Sequence, residues 1–346
     1  MVSFAITHAK RRDSPMGFRT YFVKRIVVAF LVLFVIASLN FVLFQIVAPI
    51  DPVSVIIDPN MTPEQRAMLR HEFGLDQSYP VRYAIYLRNM FTWTFGLSFA
   101  NRQPVSRELS WRLPNSILLL GTAQVVIIAV GIPLGIFAGS RRGSKTDISV
   151  IGAGLFAWGV PTFYIQLLFL LFFCYYLFVW FGFRIPVGGI MSWPPPANPI
   201  LQIADVAWHL TLPVLTLLVA SFGGWALYTR NMIIDALTQD YITTARAKGL
   251  TERAVLYRHA FRSTLPPIVT MIAMAIPGVV TGAMITEYIF SLPGIGQWYL
   301  QSLLAGDYPV VQAVLFIYAV LMIMANLFSD LIYGVLDPRI RVGMRR

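Results

Sequence analysis

Four histidines, one cysteine and sixteen carboxylates are the groups through which this chain of 346 residues could do covalent or metal chemistry. They do not converge. His8, His71, His209 and His259 stand far apart, and no H-E-x-x-H pair or nucleophile elbow is present. Cys174 lies alone in an apolar run, which excludes a disulfide framework or cysteine cluster and fits a small buried thiol. The nearest approach to a phosphate-binding loop is Gly139-Ser140-Arg141-Arg142-Gly143-Ser144-Lys145-Thr146. Its glycines are misplaced relative to the lysine, and no strand precedes it. Neither catalytic residues, nor metal ligands, nor a bound cofactor are expected in this chain.

Two features could still act on a partner or a solute. The stretch 240–267, DYITTARAKGLTERAVLYRHAFRSTLPP, is polar and basic between long apolar runs. Leu237, Tyr241 and Ala245 recur at helical spacing, and Gly249 can take the left-handed conformation that ends a helix. Thr251 suits an N-cap and Glu252 the positive end of the next helix. Tyr257, Phe261 and Leu265 then form an apolar stripe, and Pro266 and Pro267 are expected to stop that helix at the membrane. Arg246, Lys248, Arg253, Arg258 and Arg262 stud this projection, which fits either a groove of another protein or an anionic lipid surface. The second feature is Glu287, at the outer end of an apolar run. An ionisable residue there is a functional candidate, with plain exposure at the interface as the alternative.

The elements that hold these residues follow from composition. Hydrophobic residues make up 57% and charged residues 12%, with mean hydropathy +0.67. Soluble domains carry about 25% charged residues, so a bilayer must cover much of this surface. Six apolar runs are long enough to cross a hydrocarbon core: 26–47, 117–138, 148–181, 210–227, 268–285 and 310–328. The first lacks a cleavage site and is expected to be a retained anchor. The third is best taken as one tilted helix broken near Gly159 and Pro161. With six spans, nineteen of the 27 cations share one side: the N-terminal segment 1–25, the loop 139–147, the loop 228–267 and the tail 337–346. The outer loop 286–309 has none, so both termini are placed inside. The formal charge of +11 thus faces cytoplasmic lipid and partners, and no nucleic acid is expected. Tyr21, Trp111, Trp180, Trp208, Tyr228, Tyr288, Tyr308 and Tyr333 are expected at the membrane edges. Asn40, Gln45, Gln124, Gln166 and Asn326 are expected to join helices, and Arg230 to mark the inner interface.

The expected organisation is an all-α integral membrane protein. A first span at 26–47 leads to an outer segment at 48–115, then a core of five spans at 116–336 with a cytoplasmic loop at 235–267. The outer segment opens with turn-forming APIDP and DPN, followed by a helix capped by Thr62 and Gln65, closed by Gly74, and a second helix near 81–90. The outer piece 182–209, rich in proline and glycine, is expected to be an ordered loop or lid rather than helix. No internal repeat is evident, which disfavours a secondary transporter.

The loop at 240–267 resembles the coupling loop of ABC-importer membrane subunits of the dipeptide/oligopeptide/nickel permease family. The resemblance rests on Asp240-Tyr241, Thr244-Ala245, Ala247-Lys248-Gly249, Arg258-His259-Ala260, Arg262 and Leu265-Pro266. Further matches are GLD at 74–76, RLPNS at 112–116, PLG at 133–135, VPTF at 160–163, HLTLPVLTL at 209–217, E-x-x-F-S-x-P-G-x-G at 287–296 and DPR at 337–339. The long outer segment makes the chain most similar to the first of the two membrane subunits. Two departures stand out: Thr243-Thr244-Ala245 replaces Glu-Ala-Ala, and Thr94-Phe95-Gly96-Leu97-Ser98 replaces G-D-L-G-x-S.

The resemblance implies a multi-pass subunit of a prokaryotic inner membrane that imports peptides or a similar solute. It implies a second homologous permease subunit, two ATPase subunits that hold ATP and magnesium, and an external solute-binding protein. Asp240, Tyr241, Thr244, Ala245, Ala247, Lys248, Gly249, Arg258 and His259 would lie at the ATPase contact. Glu287, Pro293, Gly294 and Gly296 would form an outer gate. A self-contained secondary transporter is the alternative, disfavoured by the scarcity of intramembrane charge. An intramembrane hydrolase lacks a catalytic set.

Overall fold

The computed structural model describes residues 18–47, 62–72, 74, 76–281 and 284–336. The turn-rich start of the outer segment, Leu75 of the GLD motif and the closing DPR lie outside the described residues. Among those described there is no β-strand, only an isolated bridge between Leu97 and Pro104.

Helix α1 (Phe18–Phe41) runs into a wider turn at Val42–Val47. Two short helices follow, α2 (Pro63–Glu72) and α3 (Tyr79–Phe91). The Thr62 amide donates to Gln65 Oε1 at 2.9 Å and Gln65 N to Thr62 Oγ1 at 3.3 Å, a reciprocal capping box. Next come α4 (Val105–Ser140), α5 (Lys145–Gly159), α6 (Thr162–Phe169), a wide turn at Leu170–Tyr176 and α7 (Leu177–Phe181). Helix α8 (Pro199–Leu237) leads to α9 (Asp240–Ala247) and α10 (Glu252–Ala254), which continues through the turn Val255–Ala260 into α11 (Phe261–Thr281). Then α12 (Met284–Ile289), α13 (Ile295–Ala305) and α14 (Tyr308–Leu336) complete the chain.

Five stretches are long and apolar enough to cross a membrane: Val23–Val47, Val105–Ser140, Thr162–Phe181, Pro199–Leu237 and Tyr308–Ser329. The expected span at 268–285 coincides with α11, whose later side chains lie outside the description. The third apolar run makes one traverse. Asp147 meets Arg230, Gly154 meets Gly223, and Phe169 to Cys174 join the cluster around Leu210 to Val214, so α5 through α7 runs antiparallel along α8. The break falls at Val160-Pro161, where proline removes a helical donor.

Helices α4 and α8 form the centre. Gly131, Gly135 and Gly139, four apart on α4, face α8 so closely that a Cβ on them would sit 2.6 Å from Trp225 Cβ, 2.5 Å from the Ala226 carbonyl oxygen and 2.9 Å from the Arg230 carbonyl oxygen. Gly223 of α8 presses on Gly154 of α5 in the same way. Small residues at this spacing let helix backbones approach closely enough for dispersion to hold them without a hydrophobic driving force. Leu119, Ala123 and Ile127 of α4 pack with Leu210, Leu212 and Val214 of α8 below Phe290 and Leu292. A second cluster joins α1, α3 and α14 through Phe41, Tyr86, Met90, Phe95, Val314 and Phe316.

Several expectations are corrected. Residues 199–209 are helical, because Asn198 caps α8 by accepting from Ile200 N at 2.9 Å and Pro199 sits where its missing N–H costs nothing. Helix α4 begins at Val105, well before the apolar run 117–138 that it contains. Pro266 and Pro267 do not stop a helix. They lie inside α11, and the wide turn just before them is the kind of local adjustment that accommodates proline in membrane helices. Tyr308, the first residue of α14, is buried against Phe44, ring centroids 5.0 Å apart. Asn40 does join helices, its Nδ2 donating to the Gln312 carbonyl at 2.9 Å. Gln166 Nε2 donates to Thr286 Oγ1 at 2.6 Å, and Gln45 accepts from Arg82.

Candidate coupling knob and outer cap

The basic segment folds as a knob. Helix α9 ends where Gly249 N donates to Arg246 O at 2.9 Å, with Gly249 at φ +77°, a conformation that costs other L-residues about 1–2 kcal/mol. Thr251 Oγ1 then accepts from Ala254 N at 3.4 Å, capping the next helix. Across the turn Arg246 forms a two-pronged pair with Glu252, at 2.8 and 3.2 Å, which holds the Glu252 carboxyl below its usual range. Beneath lies a small core of Ala236, Ile242, Ala245, Val255 and Ala260. The knob is thus a folded unit with its own interior.

That interior corrects the apolar stripes read from sequence. Ile242 with Ala245, and Val255 with Ala260, face inward, whereas Tyr241, Tyr257 and Leu265 are exposed. The wide turn at Val255–Ala260 shifts the register by about 100°, one residue's rotation, so a strict 3.6-residue period misses it. Of the residues expected at the partner contact, Asp240, Tyr241, Thr244, Ala247, Lys248, Gly249 and Arg258 are exposed together, and His259 is half-buried. Ala245 is the exception: it is 4% exposed and serves the knob's interior. Tyr241 is tied to Ser263 by a 2.7 Å hydroxyl–hydroxyl bond.

Helix α8, which carries the knob, is clamped to α5 by a contact that sequence reasoning missed. Arg230 is more than an interface marker. Its Nε and Nη2 reach Asp147 at 2.5 and 2.7 Å, and Gly143 N donates to the same carboxylate at 2.9 Å. The Asp147 side chain is 3% exposed and that of Arg230 23%. The Arg230 hydrogen bonds, and then that from Gly143, hold the Asp147 carboxyl below its ordinary value of 3.8 against the opposing effect of burial. A depressed carboxylate stabilises the fold above its unfolded value and loses that contribution as pH falls through the folded one, so this clamp weakens only below about pH 3.8. Asp147→Asn should lower stability at pH 7 by about 2–3 kcal/mol, because Arg230 is left half-buried without its charge. Thermal unfolding in detergent reads this, and an unchanged midpoint would refute it. The signal available in sequence was one lone acid in a three-cation loop. The same carboxylate fills the turn that superficially resembles a phosphate-binding loop.

On the opposite end, Glu287 is buried, 1% exposed, which overturns the reading of interface exposure. Its Oε2 accepts from Gly296 N at 2.8 Å and Gln297 N at 3.0 Å, so the carboxylate caps α13 at the positive end of its dipole. Ser116 of α4 lies beside the same carboxylate and accepts from Ile295 N at 2.9 Å. A Cβ on Gly294 would collide with the Glu287 carboxylate and lie 2.5 Å from Ser116 Oγ, and one on Gly296 would lie 2.6 Å from Met284 Cα. Pro293 presents its carbonyl to Asn115 Nδ2 at 2.9 Å. Glu287, Pro293, Gly294 and Gly296 are therefore one assembly that staples the α12–α13 turn onto α4. A second buried acid, Asp307, accepts from Phe99 N at 2.9 Å and Ser98 Oγ at 2.5 Å, pinning the outer loop to the start of α14.

The bundle thus carries a basic knob with its own interior and, apart from it, a pinned cap around Glu287. The chain belongs to the binding-protein-dependent transport system inner membrane components: that family's model matches residues 131–342, and the model of its N-terminal part matches residues 18–120. It is 34% identical to the oligopeptide transport system permease protein AppB of Bacillus subtilis over 92% of this chain and 98% of that one. It is 34% identical to the dipeptide transport system permease protein DppB of Lactococcus lactis subsp. cremoris, covering 93% and 99%. For DppB of Escherichia coli K12 the identity is 33%, covering 85% and 90%. The chain is accordingly a multi-pass permease subunit of an ABC importer in a bacterial inner membrane.

Proposed function

We propose that this subunit forms half of the pathway for peptides or a chemically similar solute, delivered by an external binding protein. A second homologous permease subunit supplies the other half. Two separate nucleotide-binding subunits hold ATP and magnesium and receive the knob, and this chain itself binds no cofactor. Six spans with both termini inside put the knob and the loop 139–147 on the ATPase side, in keeping with their cations. The Glu287 assembly sits at the outer gate and keeps α13 aligned while the bundle alternates.

The observation that carries this reading is the knob itself: exposed, cationic, and rigid by virtue of its own small core, so a push on it is transmitted to α8 and α11 rather than absorbed. Gly249→Val tests it. No neighbouring atom lies near a Cβ at that position, so the substitution strains only the turn and leaves the bundle intact. In the assembled importer, solute uptake and ATPase association should fall roughly 5- to 30-fold, the equivalent of the 1–2 kcal/mol strain, with the subunit still membrane-inserted. Retained uptake with retained ATPase association would overturn the coupling role.

A further inference from the structure

We propose that the groove formed by the α4–α5 turn and the end of α8 binds the phosphate of an anionic lipid. Gly139, Ser140, Arg141, Arg142 and Ser144 line it on one side, and Ile234, Leu237 and Thr238 on the other, enclosing about 380 Å³. It is a different surface from the exposed face of the knob.

Its charge is compensated only in part: Arg142 feels the Asp147 carboxylate, but not at ion-pair distance. Asp147 is the one acid in the loop 139–147, and it is consumed by Arg230 and the Gly143 amide. Arg141 and Arg142 are exposed, and neither makes an ion pair among the described residues. The guanidinium of Arg141 lies 4.1 Å from the Phe137 ring centroid, a contact that orients the cation without neutralising it. Asp235 on α8 is not among the lining residues. The Ser144 hydroxyl, which accepts from Asp147 N, keeps its proton free for a phosphate oxygen, whereas those of Ser140 and Thr238 donate to the Phe137 and Asp235 carbonyls.

Lipid is favoured over free phosphate by what adjoins the cations. Ile234 and Leu237 form an apolar wall within the groove. Phe137, one turn towards the membrane from Arg141, is 40% exposed, and Ile148, one turn on from Ser144, is 66% exposed. A headgroup held by the two arginines would leave its acyl chains against these side chains. Basic pockets between membrane helices recognise anionic headgroups in this way.

Native mass spectrometry of the full-length chain in detergent, titrated with phosphatidylglycerol or phosphatidylcholine, decides the matter. The wild type should retain phosphatidylglycerol in preference. R141Q/R142Q should cut that retention roughly tenfold or more, as expected for two cations near a headgroup, while R141K/R142K keeps it and excludes misfolding as the cause. R253Q/R262Q, which removes two exposed cations outside the groove, should change little. Three results would each overturn the proposal: undiminished retention in R141Q/R142Q, an equal loss in R253Q/R262Q, or displacement of the lipid by inorganic phosphate at the same concentration. The measurement requires no ATPase, so its failure would leave the coupling role untouched.

Discussion

Replacing Glu287 with alanine is expected to destabilise the subunit by about 3 kcal/mol, because two hydrogen bonds to a carboxylate disappear where water does not readily substitute. Gly296 N and Gln297 N both point at the lost carboxylate. The two amides belong to the first turn of α13, whose positive end the carboxylate also neutralises. Glu287→Gln keeps an acceptor for one amide and should cost about half as much. Gly294→Ala should resemble Glu287→Ala, since its methyl group would occupy the carboxylate's place. The Glu287→Ala/Gly294→Ala double variant should then lose clearly less than the sum, as residues sharing one contact do. Thermal unfolding midpoints in detergent measure all of these. A stable Glu287→Ala subunit that loses only uptake would mean that the carboxylate meets the solute and is not a structural cap.

How far the sequence carries such a result can be traced residue by residue. The caps were legible: Thr62 with Gln65, the Gly249 turn and the Thr251 start all follow from local chemistry, and the structure has each of them. The break at Pro161 and the apolar spans were legible for the same reason. The loop expected over 182–209 followed its proline and glycine content, and the cap of Asn198 on Ile200 N with Pro199 behind it starts a helix there instead. The knob's buried face was hidden because a wide turn at Val255–Ala260 breaks the helical period on which stripe counting depends. Contacts between residues far apart in the chain were not legible. Nothing local to Glu287 announces Ser116, and nothing local to Arg230 announces Asp147, yet these pairs turn apparent surface charges into buried fastenings. The sequence therefore supplied the candidates for the outer assembly, and tertiary packing decided that Glu287 faces inward.

The glycine seam between α4 and α8 was written in the sequence as Gly131, Gly135 and Gly139 at four-residue spacing, and its consequence is the other large expected effect. Gly135→Leu should abolish the folded subunit or lower its stability by about 3 kcal/mol or more, at or beyond the upper end for overpacking. The atoms that the new side chain would meet are the Ala226 carbonyl oxygen at 2.5 Å, Thr229 Cβ at 2.6 Å and Ala226 Cα at 3.1 Å, and backbone cannot turn aside as a flexible side chain can. The helices must move apart, and with them the contacts of Leu119, Ala123 and Ile127 against Leu210, Leu212 and Val214. Gly121, on the same helix, has open space around its Cβ position, so Gly121→Leu should leave stability within about 1 kcal/mol. The contrast controls for helix propensity and hydrophobicity, which both substitutions change alike. Comparing membrane-inserted yield and detergent unfolding of the two variants tests the seam directly. Equal tolerance of both would show that α4 and α8 are held by something other than backbone approach, and the rigid route from the knob to the outer cap would lose its central strut.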